Sequence, residues 1–225
     1  WSPIGDVTTT MLWMGNQITT LNIIVKTFIP SLVCFVIPAF IISLQMKGRM
    51  EEKKKEKLFS TGYERKVVFI IGLGSLLFVP IFKTITHLPP YMGILFGLGL
   101  MWVLTEMVHS GKDEQEKGLF SVNHALRKVD TPSILFFLGI LLSVSALQST
   151  GILTSVASSL DKSIGNIDII TIIIGFLSAI VDNVPLVAAA QGMYSLDQYP
   201  SDHYLWELLA YCAGTGGSIL IIGSA

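Results

Sequence analysis

Residues 167–194 read IDIITIIIGFLSAIVDNVPLVAAAQGMY, and they give the clearest indication of the chain's architecture. It is apolar on both sides of a polar centre, Asp182-Asn183, which Pro185 closely follows. Proline has no backbone N–H and disfavours helical geometry at the residue before it. The stretch therefore predicts two apolar helical arms with a break in the chain near Asp182.

The composition of the whole chain is typical of a membrane protein. Of its 225 residues, 51% are hydrophobic and 14% charged, against about a quarter charged in soluble domains. A helix of about 20 apolar residues crosses the hydrocarbon layer. Runs that approach this length cover about 27–45, 67–82, 91–108 and 132–149. We predict an all-α polytopic membrane protein that contacts lipid, and the net charge of −1 gives no indication of nucleic-acid binding.

The loops between these runs differ in lysine and arginine content. The loop 47–66 carries eight such residues and the loop 109–130 carries four, whereas residues 83–90 and 150–166 carry one each. Short loops rich in lysine and arginine stay on the cytoplasmic side. The alternation therefore predicts that loops 47–66 and 109–130 are cytoplasmic.

The pair Asp182-Asn183 is the strongest chemical signal in the sequence. An ionised carboxylate at membrane depth costs roughly 2.5–3.5 kcal/mol, and proteins usually keep such groups for ion or proton paths. A carboxylate, an amide and backbone carbonyls freed by a break are hard oxygen ligands that suit a small cation such as Na⁺. The alternative is that Asp182 only caps a helix after a kink.

Two further breaks are predicted near the ends of the sequence. Residues 214–218, Gly-Thr-Gly-Gly-Ser, cannot stabilise a helix, and Thr215 and Ser218 add hydroxyl ligands. Small residues of this kind also serve helix packing alone. At the other end, Pro3 and Gly5 precede Asp6, which is either a ligand or an N-cap. Three breaks predict a transporter whose discontinuous helices meet near the midplane.

Three stretches, SPIGDVTTTMLW (2–13), FLSAIVDNVPLVAA (176–189) and AGTGGSILIIGSA (213–225), together resemble the NhaD-type sodium/proton antiporters of the ion transporter superfamily. The resemblance implies an inverted-repeat transporter with a re-entrant hairpin in each repeat. Residues 1–45 would then end the first repeat, residues 46–66 would be a cytoplasmic loop, and residues 67–225 would hold the second repeat. The second repeat would contain a hairpin at about 166–194 and an unwound helix at about 203–225. We expect the first hairpin to lie in a part that precedes this sequence.

The same resemblance implies exchange of Na⁺, or Li⁺, for H⁺ across a bacterial cytoplasmic membrane, in the service of pH homeostasis. It implies no enzymatic activity and no cofactor, and a homodimer is left open. Asp182 and Asn183 would hold Na⁺. Glu106 is a candidate relay group, although a snorkelling side chain at a helix end is an alternative. The expected ion-binding or proton-binding residues are Asp6, Thr8, Thr9, Ser178, Asp182, Asn183, Thr215, Ser218 and Ser224.

Two alternatives remain open. Anion or arsenite carriers of the same superfamily resemble this fold but show Ser-Asn-Thr at the hairpin tip, where this chain has Asp182, whose carboxylate would repel an anion. A more distant alternative is an intramembrane aspartyl protease that uses Asp6 and Asp182. Proteases of that family carry the motif Gly-x-Gly-Asp at one catalytic aspartate and Tyr-Asp at the other. In this sequence, Pro3 stands in place of the first glycine and Val181 in place of the tyrosine.

Overall fold

The computed structural model describes residues 6–46, 62–109 and 121–220, and all regular secondary structure in these ranges is helical. The helices in the described part of the chain are α1 (Val7–Met14), α2 (Thr20–Gln45), α3 (Gly62–Thr86), α4 (Pro90–Val108), α5 (Val122–Leu126), α6 (Thr131–Ser149), α7 (Ile152–Ile164), α8 (Ile167–Leu177), α9 (Asn183–Met193) and α10 (Tyr204–Gly216). The predicted all-α class is confirmed.

Four of these helices, α2, α3, α4 and α6, are long and apolar enough to cross a membrane. They contain the four predicted spans, 27–45, 67–82, 91–108 and 132–149. With its 26 residues, α2 measures about 39 Å, more than the hydrocarbon thickness of about 30 Å. Helix α6 has no buried residue, and a helix that is apolar all round is stable only in an apolar surrounding. The structure thus supports a polytopic membrane protein.

Residues 7–23 contain two helical segments separated by a turn rather than one continuous helix. Helix α1 ends at Met14 with Gly15 as its C-cap, Asn16 has a φ of 61°, and α2 starts after its N-cap Thr19. The span predicted to begin at residue 27 therefore begins at Thr20. Residues 62–66, predicted as part of a polar loop, form the start of α3.

The chain forms two compact units, one of residues 1–47 with 132–225 and one of residues 48–131. In the second unit α3 packs on α4 at a glycine. A Cβ added to Gly97 would come within 2.8 Å of the Ser75 Cβ, so the missing side chain allows the close approach of the two helices.

The first unit holds the core that concerns the function. Helices α1, α8, α9 and α10 and the start of α2 meet there. Their contacting faces are apolar and almost fully buried: Leu12, Ile18, Ile23, Ile170, Val187, Trp206 and Leu209 are each at most 2% exposed. This packing of short helices fixes the positions of the breaks between them.

Tyr194, just after α9, connects this core to α7. Its hydroxyl donates to the Asp161 Oδ1 at 3.4 Å, and its side chain is buried. Burial and the neighbouring Asp161 carboxylate raise the pKa of Tyr194 to about 12. The phenol therefore stays protonated, and remains a donor to Asp161, throughout the physiological pH range.

Asp202 fixes the start of α2 from the loop that precedes α10. The Thr19 backbone N–H donates to the Asp202 Oδ1 at 2.7 Å, and the Thr19 hydroxyl donates to its Oδ2 at 2.8 Å. The Asp202 backbone N–H donates in return to the Gln17 carbonyl at 2.8 Å. The polar turn at residues 15–19 is thereby held by a distant part of the chain.

We expect Asp202→Ala to destabilise the protein by about 1–2 kcal/mol, because it removes an acceptor for a helix start. The measurement is thermal unfolding of the detergent-solubilised full-length protein. Asp197→Ala, in the same loop but exposed, is the matched control and should leave the Tm unchanged. Equal Tm values for the two variants would contradict the assigned role of Asp202.

Candidate cation site

The break predicted near Asp182 is present. Helix α8 ends at Leu177 and α9 begins at Asn183, so Ser178 to Asp182 form a non-helical connection. Pro185 lies in the first turn of α9, where backbone N–H groups have no helical acceptor and a missing one costs little. The proline thus restarts the helix directly after the polar pair.

Asp182 occupies the N-cap position of α9, yet its side chain makes no capping hydrogen bond. Within the described residues its carboxylate makes no other hydrogen bond either. Asp182 and Asn183 are both partly buried. Capping, the alternative to a ligand role, therefore does not account for this carboxylate.

Asp6 repeats this arrangement at the start of α1. It is the N-cap residue, and its carboxylate caps no backbone N–H. Instead, the Thr8 hydroxyl donates to the Asp6 Oδ2, while the Thr9 and Thr10 hydroxyls donate to the Asp6 backbone carbonyl at 3.0 and 2.8 Å. Thr8 and Thr9 are almost completely buried. The predicted residues Asp6, Thr8 and Thr9 thus form one hydrogen-bonded group.

Helix α10 ends at Gly216, inside the interruption predicted at 214–218. The Thr215 hydroxyl donates to the Tyr211 carbonyl, and the Ser218 hydroxyl donates to the Thr215 carbonyl, both at 2.6 Å. Each hydroxyl gives its hydrogen to its own segment, so its oxygen lone pairs remain available for a cation.

Two glycines let α8 and α10 approach to backbone contact. A Cβ added to Gly216 would overlap the Gly175 carbonyl oxygen, and one added to Gly175 would lie 2.9 Å from the Cys212 carbonyl oxygen. Just beyond this contact the fully buried Ser178 hydroxyl donates to the Ala213 carbonyl at 2.8 Å. The break that carries Asp182 is therefore attached directly to α10.

A cavity of about 300 Å³ lies between α1, α2 and α10. It is lined by one carboxylate, several hydroxyls and small groups: Asp6, Thr9, Thr27, Ser31, Ala210, Tyr211, Gly214 and Thr215. A Cβ added to Gly214 would be 3.5 Å from the Asp6 Oδ2, so the α10 backbone runs beside this carboxylate. The cavity brings together the predicted residues Asp6, Thr9 and Thr215.

Other predicted residues lie apart from this cavity. Asp182 and Asn183 are not among the residues that line it. Ser218 lines a second cavity, of about 400 Å³, between α2, α8 and α10, which Thr215 also lines. Glu106 is exposed on α4 in the other unit. Ser224 lies outside the described residues.

Some polar residues of this region were not identified from the sequence. Glu207 is only 7% exposed in the first turn of α10, and the Asn22 side-chain amide donates to its Oε1. The sequence feature that could have identified Glu207 is its position as an acidic residue inside the apolar run 203–213. Thr27 and Ser31 were placed in an apolar span, and only the contact of α2 with α10 reveals their role as cavity lining.

The four apolar helices, together with helices interrupted at polar residues, define a polytopic membrane transporter. Residues 1–214 match the model of the citrate transporter family, CitMHS, and the chain belongs to that family.

Relatives from plants and bacteria match the whole chain. It is 52% identical to "Sodium/proton antiporter 1" and 49% identical to "Sodium/proton antiporter 2" of Arabidopsis thaliana, over 39% and 54% of those proteins. It is 29% identical to "Na(+)/H(+) antiporter NhaD" of Vibrio parahaemolyticus, over 58% of that protein. The predicted resemblance to NhaD-type proteins is confirmed. The chain thus spans roughly half the length of these relatives, and no solved structure matches it.

Proposed function

We propose that the full-length protein exchanges Na⁺, or Li⁺, for H⁺ across a membrane. The observation that carries this proposal is the pair of aspartates, Asp6 and Asp182, which stand at helix starts without capping them. A carboxylate beside interrupted backbone is an expensive group at membrane depth, and cation or proton binding is the usual reason for it. The names of the plant and bacterial relatives support the same activity.

Two groups of oxygen ligands support the cation site. Asp6 with Thr8, Thr9 and Thr215 forms one group around the first cavity. Asp182 and Asn183 form the other, with Ser178 connecting it to α10. Ser218 and Ser224 are proposed as further ligands from the segment after α10. Glu106 stays a proposed relay, and a resident cofactor has no part in this mechanism.

The exchange follows from competition for the same carboxylate oxygens. A bound proton neutralises the carboxylate and removes its attraction for Na⁺, whereas bound Na⁺ leaves no room for the proton. The occupied states carry little net charge and can move through a low-dielectric region, while a bare carboxylate is held back by its desolvation cost. Each full cycle therefore moves Na⁺ across the membrane in one direction and H⁺ in the other.

The finer topology is also part of the proposal. The protein is a multi-pass membrane transporter, and the lysine-rich loops 47–66 and 109–130 would face the cytoplasm. Residues 1–45 and 67–225 would belong to two inverted repeats, with α8 and α9 as the arms of a re-entrant hairpin. A bacterial cytoplasmic membrane is the proposed location; the NhaD relatives come from bacteria, and the plant relatives are more similar to this chain.

Carboxylate transport is the competing function, because the family is named for citrate. The carboxylates of Asp6 and Asp182 argue against it, since they would repel a multiply charged anion at the same site. The same preparation can test both functions.

The test uses the full-length protein in liposomes that enclose a pH-sensitive dye and radiolabelled Na⁺. We expect an imposed pH gradient to drive Na⁺ movement, and an imposed Na⁺ gradient to move protons in the opposite direction, with no citrate uptake. Citrate uptake without coupled Na⁺ and proton movement would overturn the proposal in favour of the carboxylate carrier.

A further inference from the structure

We propose that Ser31 and Thr27, on the membrane-spanning helix α2, are ligands of the transported cation. This inference rests on the proposed function. It adds ligands from α2 to those that α1 and α10 contribute to the cation site. The relatives' names say nothing of α2, and the sequence placed these residues in an ordinary apolar span. Both residues line the cavity that α2 closes against α1 and α10.

Thr27 and Ser31 are four residues apart and therefore lie on one face of α2, one turn after the other. Both line the 300 Å³ cavity that also holds the Asp6 carboxylate. Thr27 is only 5% exposed in a helix whose other sides are largely exposed and apolar. On an otherwise apolar helix, these two hydroxyl residues indicate the side that faces the protein interior rather than lipid.

The hydroxyls of Thr27 and Ser31 differ in their hydrogen bonds and therefore in how they can bind a cation. The Thr27 hydroxyl donates to the Ile23 carbonyl at 2.6 Å, so its oxygen can only accept, as a cation ligand must. The Ser31 hydroxyl is partly buried and, within the described residues, makes no hydrogen bond. A hydroxyl that lines a cavity with a carboxylate and has no protein partner has its full capacity free for a bound ion or its water.

Pro30, between the two, interrupts the backbone hydrogen bonding of α2 beside the cavity. Because proline has no N–H, the Lys26 carbonyl lacks the donor that normally completes its helical hydrogen bond. On the opposite wall the Tyr211 hydroxyl lies 3.4 Å from the Pro30 carbonyl and 2.9 Å from the Cys34 sulfur. This segment of α2 is thus held against α10 at the level of the cavity.

The occupant of this cavity is a small monovalent cation. Asp6 supplies the single formal charge among the lining residues, and the remaining polar groups are neutral hydroxyls. One carboxylate balances one positive charge, and oxygen ligands suit a hard ion. Among the described residues there is no group of three or more His, Cys, Asp or Glu that would instead indicate a transition-metal site.

The test compares Ser31→Ala and Thr27→Val with Ser43→Ala in the full-length protein. Ser43 is on the same helix, is exposed and lines neither of the two cavities described above. We expect each of the first two substitutions to raise the Na⁺ concentration for half-maximal exchange by roughly tenfold, since a ligand to a charged group is lost. Ser43→Ala should behave as wild type, and the maximal exchange rate should stay within a few fold in all three.

A binding measurement separates this inference from the proposed function. The Na⁺ concentration that half-maximally raises the Tm of the purified protein should increase in Ser31→Ala and Thr27→Val, and stay unchanged in Ser43→Ala. If wild type exchanges Na⁺ for H⁺ and Ser31→Ala matches it in both measurements, the role of α2 is refuted and the antiporter remains. If wild type neither exchanges nor is stabilised by Na⁺, both the proposed function and this inference are overturned.

Discussion

Replacing Asp182 with asparagine is expected to abolish Na⁺-dependent proton movement, to the level of liposomes without the protein. The substitution keeps the size and shape of the side chain and removes only the charge and the titratable group. Because the carboxylate makes no capping bond at the start of α9, the variant loses no interaction on which the helix depends. The folded protein should therefore be recovered in normal amount.

The matched control for this experiment is Asp168→Asn. Asp168 lies in the first turn of α8, in the same helix-break-helix segment, and it is exposed. Exposed substitutions cost little, so exchange should stay within about twofold of wild type. Full exchange in Asp182→Asn, with wild-type ion affinity, would remove this residue from the mechanism and leave Asp6 as the carboxylate to examine.

Replacing Gly216 with alanine is expected to destroy the folded protein rather than its ion affinity alone. The new Cβ would overlap the Gly175 carbonyl oxygen and lie 2.8 Å from its carbonyl carbon. These are backbone atoms that cannot rotate away, so the two helices must separate. Overpacking with movable side chains typically costs about 1–3 kcal/mol, and a backbone clash should cost at least as much.

Size-exclusion chromatography and thermal unfolding of the full-length protein measure this effect. Gly139→Ala is the control, because Gly139 is also inside a helix but has no atom within 4 Å of an added Cβ. It should be neutral or slightly stabilising, since alanine favours the helix by up to about 1 kcal/mol. A monodisperse Gly216→Ala protein with wild-type Tm would show that the approach of α8 and α10 is less close than described.

The sequence predicted those features that arise from neighbouring residues. The break at Asp182 follows from Pro185 and the polar pair beside it, and the four spans follow from the length of their apolar runs. The division between α1 and α2 was not predicted, because it depends on Asp202, which holds Thr19 from 183 residues away. Local propensity contains no information about such a contact.

In the candidate site, too, only the groupings of residues close in sequence could be predicted. Asp6, Thr8 and Thr9 are close in sequence, and their grouping was predictable from the resemblance to antiporters. Ser31 and Thr27 are ordinary polar residues in an apolar run, and such residues commonly bond to their own helix. Only the packing of α2 against α1 and α10 makes them part of a cavity, and packing of this kind is a tertiary property.

The long-range hydrogen bonds of the first unit also set an order of events during biosynthesis. Thr19 bonds to Asp202, which is synthesised 183 residues later, and Asn22 bonds to Glu207, which is synthesised 185 residues later. At the usual elongation rate of about 5–20 residues per second, these partners leave the ribosome roughly 10–40 s after α2 does. During that interval the polar groups at the start of α2 lack these partners, so we expect water, lipid headgroups or the insertion machinery to form hydrogen bonds with them until the last helices arrive.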